Sequence, residues 1–336
     1  MGTRHSTPAA NSSLLQPSME GDCDRVKQLV GEFLASYSSS HVGHCTDDPK
    51  LLEYVNQADA QGNTAMHGAA FAGHLQVVQY LHESCGASLH AANHLGCHPL
   101  WLAAGYNRID VLEYLVEKSH DDVLRTNATG DSCLLAAASR GHVEVCQILL
   151  DLDRKLLHVL NKAGDSPLSV AIAGGHSNVI HLLLPQTDIS IVNQPNLKGV
   201  TPLLVACEQD NVELFDALLR YGASVDVCDR TTGATPLAVA AFCGSQAILP
   251  KLLEMHPSLL EVPNSNGCTP LWLATRAGRD NMVRLLLSSG ADPVAKNKDG
   301  LSPIDVAVKY KRERVSEMFS EFYKTGEVVV PLVIEE

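Results

Sequence analysis

One phrase of the sequence recurs at a nearly fixed interval, and this recurrence constrains the fold more than any other feature. Residues 267–278, GCTPLWLATRAG, closely repeat residues 96–107, GCHPLWLAAGYN, and the two phrases contain both tryptophans of the chain. Their leading glycines lie 171 positions apart, which is five steps of 34 plus one. Self-similarity at a period of roughly 20 to 50 residues is typical of repeat architectures.

The phrase occurs eight times in register. Its copies begin at Gly62, Gly96, Gly130, Gly164, Gly199, Gly233, Gly267 and Gly300. Each copy is followed by a second apolar stretch, such as HLQVVQYLHE at 74–83 or NVELFDALLR at 211–220. Apolar residues recur there at i, i+3 and i+4, which predicts an amphipathic helix with one buried stripe.

Each position of the phrase has a local physical reason. The leading glycine suits a tight hairpin turn, because a positive φ costs glycine little. Two residues later a threonine or serine can cap a helix, and the proline after it fits the first helical position. A second glycine, such as Gly73 or Gly141, ends that helix in a left-handed turn. The repeat unit is therefore predicted to be a hairpin turn followed by two helices.

In its period and its T-P-L-H-like phrase, the chain resembles the ankyrin repeat family. The resemblance covers roughly residues 19–324 and implies an all-α fold with short β-hairpin turns, an ankyrin-repeat solenoid. We expect an N-terminal capping unit at 19–61 with an insertion near 36–49, then seven repeats over 62–299. A C-terminal capping repeat at 300–324 and a tail at 325–336 follow, and residues 1–18 are expected to be disordered.

Pro250 departs from the repeat pattern, because it falls within the second helix of its unit, SQAILPKLLEM. A proline in a helix interior removes a backbone hydrogen bond and kinks the helix. We therefore expect a kink at Pro250 and a weak point in the stack there.

Histidines and cysteines invite a search for a metal site. The candidate ligands are Cys85, His90, His94, Cys97 and His98 in one stretch and His41, His44 and Cys45 in another. Neither group matches a recognised zinc-ligand spacing, and the chain has no C-x-x-C pair. The thiols are expected to be reduced and partly buried rather than joined in disulfides. We predict no metal and no cofactor.

Catalytic motifs are missing from the sequence. There is no G-x-S-x-G elbow, H-E-x-x-H pair, phosphate-binding P-loop or Rossmann glycine pattern. His74, His142 and His176 recur directly after the helix-ending glycine, and recurrence in register indicates architecture rather than an active site. We predict that the protein is not an enzyme.

The net charge of −13 disfavours nucleic acid as a partner. Residues 1–163 hold 11 basic and 18 acidic residues, leaving 14 and 20 beyond. The only basic cluster, Lys309, Lys311, Arg312 and Arg314, is interleaved with Glu313 and is interpreted as a solvated capping face. No apolar stretch approaches 18 residues, so no membrane span is expected.

The first residues, MGTRHS, match the N-myristoylation pattern M-G-x-x-x-[ST], with Gly2 as the acceptor. A single acyl chain binds membranes only marginally, and no polybasic second signal accompanies it. A membrane-tethered protein therefore depends on Gly2 alone, and the intact mass of the native protein would test it.

The resemblance to ankyrin repeats also implies where a partner binds, because ligands of that family usually meet the hairpin tips and the concave face of the first helices. The corresponding concave positions are Phe71, Tyr106, Arg140, Glu208, Phe242, Arg276 and Tyr310. The corresponding tip positions are His94, Leu95, Leu197 and Lys198. Aromatic and arginine side chains on a face of small residues are typical of interface anchors. Trp101 and Trp272 lie one turn earlier, at equivalent structural positions.

We therefore predict an intracellular scaffold or adaptor that binds a protein partner on its concave face. We expect a monomer by itself, located in the cytoplasm, with the nucleus as the alternative. A different reading is a substrate-recruiting or regulatory subunit of a larger complex, such as a ubiquitin ligase, a phosphatase or a signalling assembly. Neither end of the chain carries a recognisable docking motif, so this second reading lacks direct support in the sequence.

Overall fold

The computed structural model of the chain describes residues 13–37 and 48–325. These residues form α-helices joined by turns and short 3₁₀ segments, and an isolated β-bridge joins Thr126 to Ser132. The chain divides after Leu183 into two compact units. The expected all-α fold is confirmed.

The helices follow one another in pairs. The N-terminal unit contains α1 (Leu15–Glu20), α2 (Cys23–Tyr37), α3 (Pro49–Val55), α4 (Ala65–Ala72), α5 (Leu75–Gln79), α6 (Pro99–Gly105), α7 (Ile109–Lys118), α8 (Cys133–Ala138), α9 (Val143–Leu152), α10 (Pro167–Ala173) and α11 (Ser177–Leu183). The C-terminal unit contains α12 (Ile189–Val192), α13 (Pro202–Gln209), α14 (Val212–Arg220), α15 (Pro236–Cys243), α16 (Ile248–Met255), α17 (Pro270–Ala277), α18 (Asp280–Ser288), α19 (Pro303–Lys309) and α20 (Glu313–Thr325).

The first helix of each repeat, here called the inner helix, follows the glycine hairpin. The inner helices are α4, α6, α8 and α10 in the N-terminal unit and α13, α15, α17 and α19 in the C-terminal unit. Within each unit, successive inner helices contact one another, and each also contacts the outer helix that follows it. Their alanines, such as Ala70, Ala104 and Ala137, are fully buried, because small side chains let neighbouring helices approach closely.

The serine or threonine of the repeat phrase caps the inner helix, as predicted. Ser132 accepts a hydrogen bond from the backbone N–H of Leu135, and Thr235 accepts one from Ala238. The next residue is usually proline, at the first helical position, where no N–H is required. These local signals fix the start of each inner helix.

The hairpins join into a ladder within each unit. The N–H of His94 donates to the carbonyl of Gln61 at 2.9 Å, and one repeat later the N–H of Ala128 donates to the carbonyl of Leu95 at 2.8 Å. Gly96 is required for this close approach, because a Cβ there would lie 2.6 Å from the Ala128 nitrogen and its φ is +73°. The ladder holds consecutive repeats in a fixed offset.

An acidic or amide side chain that the sequence analysis overlooked closes each hairpin. Three residues before the glycine, the side-chain oxygen of Asn93 accepts from the N–H groups of Leu95 and Cys97. Asp59, Asn127, Asn161, Asn196, Asn264 and Asn297 do the same in their own repeats, and Asp229 does so from four residues before its glycine. Such Asx turns stabilise a tight reversal of the chain.

The N-terminal end corrects one expectation. Residues 15–18 are helical rather than disordered, because they open α1, which contacts the inner helix α4. Gly21 ends α1 with φ +75°, and α2 follows from Cys23, in the positions expected for a capping pair. Of the insertion expected near 36–49, residues 38–47 lie outside the described residues, and so do residues 1–12 and the tail from 326 onward.

The kink expected at Pro250 is wrong. Helix α16 begins at Ile248, so the proline lies in its first turn, where backbone N–H groups have no intrahelical partner. Asp210 of the preceding repeat caps this end: its carboxylate accepts from the N–H of Ile248 at 3.0 Å and from that of Ala247 at 3.2 Å. The reason for a weak point at Pro250 therefore disappears.

Three residues other than glycine adopt the left-handed conformation. Asn107, Asp210 and Lys311 have φ values of +57°, +52° and +53°. They lie where α6, α13 and α19 end, at the place that Gly73 and Gly244 occupy after α4 and α15. Asparagine and aspartate tolerate this conformation better than lysine does, so Lys311 is the strained member of the three.

Candidate functional site

The predicted concave-face residues lie at the C-terminal ends of the inner helices. Six are exposed and Phe71 is half-buried, and the exposed fractions of Tyr106, Phe242 and Tyr310 are 37%, 45% and 42%. The small residues earlier on each helix face the neighbouring repeats, so the larger side chains extend from the helix ends. The structure gathers most of the predicted residues into two clusters, one in each unit.

The Tyr106 cluster, in the N-terminal unit, consists of Phe71, Trp101, Tyr106 and Arg140. The rings of Phe71 and Tyr106 meet edge to face, with centroids 4.4 Å apart. The Arg140 guanidinium lies over the Tyr106 ring at 4.9 Å and over the Trp101 ring at 5.5 Å. Because these residues come from three consecutive repeats, the cluster also ties the repeats together.

A cavity of about 300 Å³ opens beside Phe71. It lies between α1, the first hairpin and the inner helices, and it is lined by Leu15, Met19, Asp59, Asn63, His67, Gly68, Phe71 and Leu102. Met19 is itself exposed, so the cavity extends the apolar surface of the Tyr106 cluster toward α1. The sequence could not reveal this cavity, because two of its lining residues, Leu15 and Met19, come from a helix that periodicity did not predict.

The Tyr310 cluster, in the C-terminal unit, consists of Trp272, Arg276, Lys309 and Tyr310. The Arg276 guanidinium lies 5.8 Å from the centroids of both the Trp272 and the Tyr310 rings. The Lys309 ammonium lies 6.0 Å from the Tyr310 ring. Each contact is within the range of a cation–π interaction.

Glu208 and Phe242 are exposed on α13 and α15 but belong to neither cluster. The carbonyl of Phe242 accepts a hydrogen bond from Nε of Arg279 in the following repeat, at 3.2 Å. The Phe242 ring extends from the small-residue surface of α15. It therefore offers apolar contact area that repeat stacking does not use.

The hairpin-tip candidates His94, Leu95, Leu197 and Lys198 are also exposed. Backbone groups of the tips are engaged, since the Leu95 carbonyl takes part in the hairpin ladder and that of Lys198 accepts from the Thr231 hydroxyl at 3.0 Å. The side chains are thus held on an ordered backbone and face solvent.

The twin tryptophans are structural. Their exposed fractions are only 7% for Trp101 and 5% for Trp272. Nε1 of Trp101 donates to the carbonyl of Asp131 at 3.0 Å, and Nε1 of Trp272 donates to that of Leu301 at 3.1 Å. His67 makes the equivalent bond through Nε2 to Cys97. Each side chain thus joins its inner helix to the hairpin of the next repeat.

The histidines that follow the helix-ending glycine are structural as well. Nε2–H of His142 donates to the Gly105 carbonyl at 3.1 Å, and that of His176 donates to Ser139 at 3.0 Å. His74 bonds in the same way to Met19. Each ring therefore anchors one repeat to the end of an earlier helix, which confirms that their recurrence reflects architecture.

The candidate metal ligands do not converge. Nδ1 of His90 lies 2.7 Å from an Asp122 oxygen, His98 caps α6, and His94 is exposed at a hairpin tip. Among the residues that the structure describes, no group of three or more histidine, cysteine or acidic side chains has a geometry that could hold a metal ion. The second group, His41, His44 and Cys45, lies outside these residues, as does the lipidation candidate Gly2.

The cysteines of the described ranges are free thiols. Cys133, Cys146 and Cys207 are buried in the inner and outer helices, and burial raises the pKa of each thiol, to about 12 for Cys146. A thiol with a raised pKa carries little thiolate at neutral pH and is a poor nucleophile. These side chains act as small apolar residues of the stack.

Sequence reasoning considered His98 only as a metal ligand and missed its role as a buried helix cap. This histidine stands where the other repeats have serine or threonine, and its Nδ1 caps α6 by accepting from the Trp101 N–H at 3.3 Å. Its exposed fraction is 1%, and its Nε2 has no hydrogen-bond partner. Burial lowers the pKa of His98 to about 4, so the side chain is neutral at physiological pH. The signal was the phrase HPLW in place of TPLW.

None of the helices in the described ranges is both long and apolar enough to span a membrane.

Comparison with known families agrees with this architecture. A family model described as ankyrin repeats (3 copies) matches residues 14–127, 100–194 and 185–261, and a model of the ankyrin repeat matches residues 266–298. These matches cover most of the chain, which therefore belongs to the ankyrin repeat family. A comparison with curated proteins gives no match. Ankyrin repeats are generally modules of protein–protein interaction.

Proposed function

We propose that the protein is a non-enzymatic scaffold or adaptor that binds a protein partner across the C-terminal ends of its inner helices. The observation that supports this proposal most is the presence of exposed aromatic and arginine side chains at the ends of inner helices whose small residues are buried. Tyrosine and arginine are enriched among the residues that dominate binding energy at protein interfaces. In the ankyrin repeat family, this surface is the usual place for a ligand.

The two clusters differ from ordinary surface side chains because they are pre-ordered. Arg140 is held against two rings, and Arg276 likewise. A side chain that is already ordered loses less conformational entropy when a partner binds, so more of its contact energy appears as affinity. The cavity beside Phe71 adds a recess for an apolar side chain of the partner.

To test the proposal, the full chain is used to capture partners from an extract of its native cells. The affinity of each variant for a purified partner is then measured. The test variants are Tyr106→Ala, Arg140→Ala, Phe242→Ala and Arg276→Ala. The matched controls, on outer helices, are Gln147→Ala and Glu213→Ala. Removal of a true anchor typically costs 2 kcal/mol or more, roughly thirty-fold in affinity.

Phe242→Ala is the sharpest variant, because the Phe242 ring is exposed and takes part in neither cluster. Tyr106→Ala also removes contacts with Phe71 and Arg140, so its melting temperature has to be measured beside its affinity. We expect the inner-helix variants to lose the partner and the outer-helix variants to keep it. The reverse pattern would show that the partner binds the outer helices.

A further inference from the structure

The charge of the chain is concentrated rather than even. Of its 25 basic and 38 acidic residues, nine basic and five acidic residues lie in 267–314, which leaves 16 and 33 for the rest. The segment 267–314 therefore carries a net charge of +4 on a chain whose remainder carries −17, and the last two repeats as a whole, 267–324, carry +3. A local excess of one sign on a molecule of the other sign attracts partners of complementary charge.

Several of these cations lie beside the Tyr310 cluster. Nε and Nη2 of Arg312 donate to the carbonyl of Arg276, at 3.2 and 2.8 Å. Arg279 donates in the same way to the carbonyl of Phe242, one repeat earlier. Arginine side chains thus follow the ends of consecutive inner helices from Phe242 to Tyr310. Arg279, Arg312, the adjacent Lys311 and the Tyr310 cluster are together called the basic row below.

The anchoring hydrogen bond made by Arg279 and Arg312 does not need a charge. At the equivalent position of the N-terminal unit, Arg108 makes this bond to the Phe71 carbonyl, whereas His142 and His176 make it to their helix-end carbonyls with an imidazole. In the repeat before Arg279, the Ser245 hydroxyl bonds to the Cys207 carbonyl. The positive charges of Arg279 and Arg312 are therefore additional to their structural role, and their remaining N–H groups can bind a ligand.

Lys311 points to the same conclusion from its backbone. It adopts φ +53° at the end of α19, where other repeats place glycine, and its side chain is exposed. A lysine in this conformation is strained, and strained residues often occur where function requires a particular side chain. Glycine would relieve the strain but would remove one cation from the basic row.

We propose that the basic row binds an acidic segment of the partner protein, rich in aspartate and glutamate with interspersed apolar residues. This inference rests on the proposed function of the inner-helix surface and names the chemistry of its partner. A guanidinium stacked on aromatic rings presents its N–H fork edgewise, which matches a carboxylate in a bidentate pair. Tyr310 and Phe242 supply apolar contacts between the cations.

A protein segment fits this surface better than nucleic acid does. The basic row is short, Asp280 lies 3.9 Å from Arg314 at its edge, and the rest of the chain is strongly acidic. A nucleic acid carries a charge at every phosphate and would be repelled by that remainder. An acidic peptide of about a dozen residues is short enough to contact the basic row without extending over the acidic remainder of the chain.

The experiment uses the full chain and three fluorescein-labelled peptides of twelve residues. The first alternates Asp and Glu with Leu and Phe, the second replaces every carboxylate by its amide, and the third replaces it by Lys. Fluorescence anisotropy gives the Kd of each. We expect the carboxylate peptide to bind at least about tenfold more tightly than the amide peptide, since charge-assisted hydrogen bonds are stronger than neutral ones. Its affinity should fall as salt rises.

The decisive variant is Arg279→His with Arg312→His, measured at pH 8, where an ordinary imidazole is neutral. It keeps the anchoring hydrogen bonds in the form that the N-terminal unit uses and removes two charges. We expect it to bind the carboxylate peptide about tenfold more weakly with an unchanged melting temperature, and Arg276→Gln to weaken binding similarly. Arg220→Gln, an exposed arginine on the outer helix α14, is the matched control and should bind like the wild type.

Lys311→Gly separates binding from stability. It should raise the midpoint of urea denaturation, because glycine adopts the left-handed conformation without strain, yet weaken the carboxylate peptide about threefold by removing an exposed charge contact. A purely structural Lys311 would lose no affinity for the peptide on replacement. An affinity that stays at the wild-type value would therefore count against the proposal.

Other results would overturn the proposal. Equal affinities for the carboxylate and amide peptides, or an equal loss in Arg220→Gln, would remove the basic row as the binding surface. Tighter binding of a twelve-nucleotide single-stranded DNA would make nucleic acid the ligand. Deleting residues 326–336, which include three glutamates, tests whether this tail occupies the basic row. If the deletion tightened peptide binding tenfold, the tail would be the occupant instead of a partner.

Failure of this inference is distinguishable from failure of the proposed function. If Phe242→Ala and Tyr106→Ala lose the partner while the carboxylate peptide does not bind, the partner is not acidic but the inner-helix surface still binds it. If every inner-helix variant retains the partner normally, the proposed function fails, and this inference about its partner fails with it.

Discussion

The Tyr106 and Tyr310 clusters contain the same kinds of residue, yet their surroundings differ. In each, an arginine lies over a tyrosine and over a tryptophan at the same repeat position. Beside the Tyr106 cluster, Arg108 anchors one helix end and His142 and His176 anchor the next two, whereas beside the Tyr310 cluster both anchors are arginines, Arg279 and Arg312. The repeat frame thus fixes where side chains lie, and the residue chosen at each position sets the charge of the surface.

The caps beneath the two tryptophans differ in a second way. Helix α17 is capped by Thr269, whose hydroxyl accepts from the Trp272 N–H at 3.3 Å. Helix α6 is capped by His98, whose Nδ1 accepts from the Trp101 N–H at the same distance. A hydroxyl cap keeps its protonation state in mild acid, whereas an imidazole cap can be protonated there. The comparison predicts that pH affects the two units unequally.

The largest expected effect comes from removing either tryptophan. Trp101→Ala and Trp272→Ala each delete a buried ring and the hydrogen bond to the next hairpin, and we expect each to cost about 3–5 kcal/mol of unfolding free energy. Urea denaturation followed by circular dichroism measures this loss. In each variant the remaining tryptophan reports fluorescence from the other unit. Because a stack transmits damage mainly to nearest neighbours, that signal should shift less than the whole-chain signal.

Phenylalanine replacements serve as the matched controls for this experiment. Trp101→Phe and Trp272→Phe keep most of the buried ring and lose the hydrogen bond, so they should cost about 1 kcal/mol each. If alanine cost no more than phenylalanine, the rings would not belong to the core, and the equivalence of the two positions would be lost.

The second effect is a pH dependence confined to the unit that contains His98. Burial lowers the pKa of His98 in the folded chain to about 4, below its usual 6.5. Between pH 6.5 and 4, His98 therefore binds a proton in the unfolded chain but not in the folded chain. The unfolding free energy falls as pH falls through this window. The shift corresponds to at most about 3 kcal/mol. Protonation would also abolish the acceptor that caps α6.

His98→Thr, which installs the cap used by other repeats, should flatten this pH dependence. The measurement is urea denaturation at pH 7, 5.5 and 4.5 in the Trp272→Phe background, where Trp101 fluorescence reports the N-terminal unit. Thr269→Ser is the matched control at the equivalent cap and should leave the pH dependence of the chain unchanged. An equally steep loss in His98→Thr would show that other groups, such as His67 or Asp122, cause the acid sensitivity.

The sequence allowed the repeat, the hairpin turns and the inner-helix caps to be predicted because each depends on residues close in the chain. Helix α1 could not be found in this way. It has six residues and contacts α4, so its stability comes from a contact that periodicity does not report. The start of α16 is likewise set by the Asp210 carboxylate, almost forty positions earlier. The presence of α1 and the start of α16 both depend on contacts between repeats rather than on the local sequence.

The candidate site was predictable in its positions but not in its contacts. Counting from the leading glycine placed Phe71, Tyr106 and Arg140 on one surface, and the structure brings them together. Counting could not show that these side chains also contact one another across repeats, because those contacts depend on the offset between repeats, which brings the ends of adjacent inner helices within reach of each other.

The smallest expected effect is a difference in stability between variants of Arg140 and Arg276, which have different neighbours. Arg140 lies 4.9 and 5.5 Å from its two rings, and its Nη1 also donates to the Ala136 carbonyl, so Arg140→Gln should cost about 0.5–1 kcal/mol of unfolding free energy. Arg276 lies farther from its rings, shares the Tyr310 ring with Lys309, and accepts from Arg312 at its backbone carbonyl. Its removal relieves repulsion between like charges, so Arg276→Gln should change stability by roughly 0–0.5 kcal/mol at low salt.

Urea denaturation at 0.05 and 0.5 M salt separates these terms, because salt screens repulsion between exposed cations. At high salt the relief of repulsion disappears, and the cost of Arg276→Gln should rise toward that of Arg140→Gln. Arg140→Lys keeps the charge but not the planar group, and it tests whether stacking or charge holds the Tyr106 cluster. If Arg276→Gln were the more destabilising variant at low salt, the cations of the C-terminal unit would be stabilising one another through bound anions rather than repelling. The basic row would then be an anion site within the fold instead of a surface kept free for a partner.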